Sequence, residues 1–105
     1  MLRFSDKMTR LIVEIEKIKG NCVVFKGNES IVIEGAEIKL EKTDKICIHA
    51  LQSILHYAVA LREGVDPKKL GLAKEGEVAY VQCLDPGEPY TGGRTVIFRI
   101  RREDK

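Results

Sequence analysis

From Arg10 onward the chain alternates. Leu11, Val13 and Ile15 fall on one side of an extended segment, while Glu14 and Glu16 share the other with Ile12. A period of two predicts a half-buried strand. Lys19-Gly20-Asn21 predicts a turn, because glycine and asparagine tolerate positive φ. The apolar run from Cys22 to Phe25 predicts a second strand, and Gly27-Asn28 a second turn. Ile31 and Ile33 alternate with Ser30, Val32 and Glu34 in a third strand that Gly35 ends. Ile38 and Leu40 alternate with Glu37, Lys39 and Glu41, which extends the pattern by one short piece.

The period then changes. Cys47, Ala50, Leu51, Ile54, Leu55, Ala58 and Leu61 recur at spacings of three and four, the stripe of a helix lying on a sheet. Thr43 and Asp44 are both suitable N-caps. Gly64 suits the C-cap, with Arg62 in the last turn to complement the dipole. Asp66-Pro67 predicts a short second helix from Pro67 to Leu70, stopped by Gly71. Period two returns from Val78 to Cys83. Asp85-Pro86-Gly87 breaks it, and Pro89 and Gly92-Gly93 continue the loop. Val96, Phe98 and Ile100 alternate with Thr95, Ile97, Arg99 and Arg101 in a last strand.

Strands and helix are segregated along the chain. That order predicts an α+β fold with a mostly antiparallel sheet of about five strands packed on one long helix, plus the short second helix. Residues 1–9 read as a loose N-terminal tail, with Met8 a second candidate start, and 10–105 as a single domain. The length, 105 residues, suits one domain.

Composition narrows the class. The chain is 44% hydrophobic, enough for a core, and its 18 basic and 16 acidic residues leave a net charge of +2. That balance argues against a nucleic-acid partner. No apolar run is long enough to span a membrane, and the first residues lack the apolar core of a secretory signal. With three well-separated cysteines, an odd number, the expected compartment is cytoplasmic and the thiols reduced. Only Asn21, Asn28, Gln52 and Gln82 carry side-chain amides amid abundant Lys, Arg and Glu, a composition toward which thermophile proteins lean.

The candidate chemistry lies in those cysteines. Cys22 opens a predicted strand, Cys47 the long helix, and Cys83 closes a strand. Zinc sites usually show close Cys-x-x-Cys pairs, which are absent, yet a fold can converge three remote thiolates on an ion such as zinc or iron. The plainer expectation is three small buried hydrophobes. Cys47, in a first helical turn, gains from the helix dipole as a thiolate and loses by burial. His49 is about 200° round the helix from Cys47, and His56 lies two turns, roughly 10 Å, from His49, so neither pair suggests a joint metal site. Asp85 could serve as an accessory carboxylate beside Cys83, although Asp-Pro-Gly is also ordinary turn chemistry. The loop Pro89-Tyr90-Thr91-Gly92-Gly93-Arg94 matches no phosphate-binding fingerprint. Arg99 and Arg101 share a strand face without interleaved aromatics, which predicts a solvated charged face.

Gly20-Asn21-Cys22, then Ile46-Cys47 opening a helix, then Cys83-Leu84-Asp85-Pro86 followed by Val96-Ile97-Phe98 resembles the pattern of a family of small uncharacterised bacterial and archaeal proteins. The likeness runs from about Arg10 to Arg102. Ile48 and Leu84 stand where many members have proline. The resemblance implies that the cysteines act together and supplies no reaction. Two function classes follow. One is a thiol- or metal-binding protein using Cys22, Cys47 and Cys83. The other is a non-catalytic binding or self-assembly module with structural cysteines. A homo-oligomer, a dimer first, is expected, because small domains bury proportionally little surface and Ile12, Val32, Ile97 and Val59 fall on faces assigned to solvent.

Overall fold

The computed structural model describes residues 9–104. The predicted tail lies outside them except for Thr9, which is buried and opens the first strand. The elements are β1 (Thr9–Lys19), β2 (Ser30–Glu34), β3 (Glu37–Ile38), a 3-10 turn (Leu40–Lys42), α1 (Ile48–Arg62), β4 (Ala79–Gln82) and β5 (Thr95–Asp104). The five strands form one antiparallel sheet in the order β3-β2-β1-β5-β4. The α+β expectation holds at that level.

The predicted alternation places the core. Leu11, Val13 and Ile15 of β1, Ile31 and Ile33 of β2, and Val96, Phe98 and Ile100 of β5 are all buried on the face that α1 covers. β5 lies between β1 and β4, as a strand with so regular an apolar face should. Past Ile15 the period breaks: Ile15 pairs with Phe98 but Lys17 pairs with Ile97, so Glu16 is the extra residue of a bulge. The slip turns Ile18 inward, three residues after Ile15, where it packs on the core.

Several expectations are corrected. Cys22 to Phe25 is not a strand. The buried Glu29 carboxylate accepts the N–H groups of Lys26 and Gly27, each at 2.9 Å, and curls the segment into a loop that drives Phe25 into the core. Thr43 and Asp44 do not cap the helix. Asp44 accepts from Ser30 N–H at 2.9 Å and Thr43 Oγ1 from Val32 N–H at 3.1 Å, so both side chains are committed to the β2 edge. α1 therefore starts later, with Cys47 as the N-cap. Its C-terminus is as expected: Gly64 has φ +87, and bonds from Gly64 N–H to the Leu61 carbonyl and Val65 N–H to the Ala60 carbonyl close a Schellman motif. Arg62 is buried and donates to the Gly35 carbonyl at 3.2 Å. Residues 67–71 make a string of turn bonds rather than a second helix.

The helix is also rotated from its predicted setting. Ala50, Ile54, Ala58 and Leu61 face the sheet, whereas Leu55 is 45% exposed. The outer sheet face differs too. Ile12 and Val32, expected in solvent, are a cross-strand pair only 8% and 6% exposed. Around them runs an ion-pair lattice: Arg10 to Glu34 and Glu103, Arg99 to Glu14 and Glu16, and Arg101 to Glu14 and Glu103. The long arginine stems can cover apolar atoms while their heads stay wet. Arg99 and Arg101 thus face carboxylates of their own sheet. No helix among the described residues is long and apolar enough to cross a membrane.

Candidate functional site

The three cysteines belong to segments that meet at one end of the molecule. The Arg94 guanidinium donates to the Asn21 carbonyl, Lys45 Nζ to the Val24 carbonyl at 3.1 Å, and Leu84 N–H to the His49 carbonyl at 3.2 Å. These bonds tie the Cys22 loop to the β4–β5 loop and to the approach of α1, and Cys83's neighbour to the first turn of α1.

Each thiol has its own surroundings. Cys83 is buried within the main core, its Sγ 3.5 Å from Thr95 Oγ1 and 3.8 and 3.9 Å from the Asp85 and Arg94 carbonyls. Cys22 is half-buried, and its Sγ accepts from Phe25 N–H at 3.4 Å, which helps turn the loop. Cys47 is half-buried at the N-cap, where its carbonyl accepts from Ala50 and Leu51 while its side chain makes no cap bond. All three are free thiols and all three pack in or against the hydrophobic core. Among the described residues, no group of three or more His, Cys, Asp or Glu side chains is arranged to hold a metal ion.

Asp85 organises its own loop. Its carboxylate accepts from Thr91 Oγ1, from Gly87 N–H at 2.8 Å and from Arg94 N–H at 3.3 Å. The Thr91 hydroxyl above all, then the Gly87 amide, hold its pKa below the ordinary carboxylate value. Gly93 sits against it so closely that any Cβ there would run into Asp85 Oδ2. The hydroxyl, glycines and arginine of Thr91-Gly92-Gly93-Arg94 are thus the fittings of a hairpin loop. His49 and His56 are exposed on α1, and the His56 ring meets Tyr57 edge-on at 4.6 Å.

Two features escaped the sequence reading. The first is a second apolar stripe on α1. Ile48, Leu55 and Val59 are 76%, 45% and 59% exposed. At 100° per residue they fall within about 40° of one another. Their spacing was legible, but it overlapped the buried stripe through Leu55. The second is an open hollow of about 650 Å³ between α1 and β4, touched by Ser53, Tyr57, Leu72, Val81 and Gln82. Another, of about 560 Å³, lies past the C-terminus of α1 over Leu11, Leu61 and Ile100. On its rim Lys68 pairs with Asp66 at 3.2 Å and Arg102 with Asp104 at 3.4 Å.

No protein family, curated protein or solved structure matches the chain. The likeness drawn from the order of the cysteine segments therefore rests on the sequence alone.

Proposed function

We propose that the protein is a non-catalytic interaction module that assembles with a second copy of itself through the outer flank of α1. The observation that carries this reading is the straight line of exposed Ile48, Leu55 and Val59. Single exposed apolar residues need no explanation, but an aligned set does. Together the three side chains offer on the order of 300 Å² of apolar surface, comparable with the largest patch of a typical monomer, which is often functional.

The pattern favours a copy of the same chain. Ile48, Gln52, Leu55 and Val59 are spaced four, three and four. That spacing reads the same from either end. An antiparallel partner helix related by a twofold axis sets Ile48 against the partner's Val59 and closes over the two Leu55 side chains. A twofold contact demands such self-complementarity. A stable dimer buries roughly 800 Å² per partner, so the stripe supplies the centre of a small interface and the association is weak. The cysteines serve the fold in this reading, as their packing on the core supports.

Sedimentation velocity from micromolar to millimolar protein tests it. The mass should climb from 11.8 kDa toward twice that value as concentration rises. Val59→Asp should hold it at the monomer while leaving the circular dichroism spectrum unchanged. A wild-type protein that stays monomeric throughout ends the proposal.

A further inference from the structure

The outer edge of β4 is closed at both ends and open in the middle. Cys83 N–H bonds inward to the Val96 carbonyl at 3.0 Å. Antiparallel strands alternate, so Val81 and Ala79 also turn their main-chain groups toward β5, and Tyr80, Gln82 and Leu84 turn theirs outward. Tyr80 N–H is taken by the Leu72 carbonyl at 2.8 Å, and Leu84 N–H by the His49 carbonyl at 3.2 Å. Among the described residues no protein group meets the Gln82 N–H, the Gln82 carbonyl or the Tyr80 carbonyl. Three ladder positions are left in solvent, along the floor of the hollow between β4 and α1.

The hollow has a distinct chemistry. No Asp, Glu, Lys or Arg lines it, in a chain that is 32% charged. Hydrogen-bonding side chains, among them Gln52, Ser53, His56, Tyr57 and Gln82, stand round the apolar Leu72, Val81 and Ile97. Main-chain donors and acceptors at strand spacing are complemented by another extended main chain, and an edge strand beside a helix is a setting in which peptides add to sheets. No carboxylate, ammonium or guanidinium in the lining would pair a charge carried by the peptide, so the occupant it favours is neutral.

We propose that the groove between α1 and β4 binds an uncharged, extended peptide segment of another protein, which adds to the sheet beside Gln82. The residue opposite Gln82 exchanges two main-chain bonds with it, and a neighbouring peptide N–H donates to the Tyr80 carbonyl. Alternate side chains of the peptide fall beside Tyr57, Leu72 and Val81 on the helix side and beside Ile97 on the other. Two β4 edges paired about a twofold axis would exchange only the two Gln82 bonds, because Tyr80 and Leu84 have already given their N–H groups to Leu72 and His49. A free peptide makes three. The groove adjoins the Ile48–Val59 stripe, with Gln52 at the border of both, and the peptide's main-chain bonds to β4 need no second copy.

The test is titration of the full chain, in the Val59→Asp background, with an acetylated and amidated peptide of alternating valine and threonine. Amide hydrogen exchange is read by NMR. Peptide at millimolar concentration should slow exchange at Gln82, and the same peptide N-methylated at every second amide should not. Gln82→Pro removes the free edge donor at a position where proline is tolerated, and should weaken binding about tenfold with the fold intact, read from peptide-induced shifts of the neighbouring β4 amides. An unchanged Gln82 amide overturns the proposal, as does equal binding of the N-methylated peptide. Equal binding of a lysine- or glutamate-substituted peptide overturns the neutral ligand class. Protection of Gln82 that grows with protein concentration alone assigns the edge to a second copy instead.

Discussion

The rings of Phe25 and Phe98 meet edge to face, their centroids 5.4 Å apart and their planes at 80°. Phe98 belongs to the middle of β5, while Phe25 comes from the irregular loop between β1 and β2, and both are buried. The pair pins that loop to the sheet. Phe98→Ala should cost about 3–5 kcal/mol of stability, and Phe25→Ala should fall in the same range. A double-mutant cycle in urea should show coupling of about 0.5–1.5 kcal/mol for an aromatic pair in this geometry. Strict additivity would mean that the loop does not need this contact to hold its place.

Ile54 and Leu55 are neighbours in sequence with opposite surroundings. Ile54 is fully buried and Leu55 is 45% exposed. Ile54→Ala should destabilise by about 2–5 kcal/mol. Leu55→Ala in the dilute monomer should stay within about 1 kcal/mol, because little of its packing is lost. Comparable losses from chemical denaturation would show that α1 is turned the other way.

Glu29 makes stability depend on pH. The Gly27 N–H bond, then the Lys26 N–H and the charge of Lys45, hold its pKa below the ordinary 4.5, against the opposing effect of burial. A folded-state pKa below the unfolded value stabilises the protein fully above the unfolded pKa, and the gain is lost as pH falls through the folded one. Urea midpoints should therefore drop with acidification below about pH 4.5, and Glu29→Gln should flatten that drop. Parallel curves for the two proteins would show that the carboxylate is no better held in the fold than out of it.

The thiols should separate by accessibility. Cys22 and Cys47 are half-buried and Cys83 is buried. Under native conditions an aromatic disulfide reagent should modify two thiols in a fast phase and the third only as fast as the protein opens. Denaturant should merge the phases. Three thiols reacting together in the native state would contradict the placement of Cys83. In the same preparation, elemental analysis for zinc and iron tests the metal reading: stoichiometric metal would revive a joint role for the cysteines.

The packing of α1 on the sheet shows where periodicity stops being informative. Cys47, Ala50, Leu51, Ile54, Leu55, Ala58, Val59 and Leu61 offer more apolar residues than one helix face can bury. The sequence predicts the Cys47–Leu61 stripe as the buried side, but it does not set where that stripe is centred. The sheet decides: Ala50, Ile54, Ala58 and Leu61 are the residues that α1 buries where it meets β1, β4 and β5. The cysteine segments illustrate the same limit. Their association depends on Lys45, Arg94 and Leu84 bonding to main-chain carbonyls remote in sequence, and no spacing rule encodes such partners.

What the sequence determined by itself was local. Alternation in β1, β2 and β5, the glycine after α1 and the balanced composition specify an antiparallel α+β sheet and helix, because strand period, positive φ and burial act over a few residues. Only the tertiary structure decided that Thr43 and Asp44 serve the β2 edge instead of the helix, that Ile12 and Val32 are shielded, and that Gln82 keeps free main-chain groups. Each of these turns on a partner far along the chain. A hydrogen-bonding side chain or an apolar residue advertises what it needs, and the packed fold alone determines what supplies it.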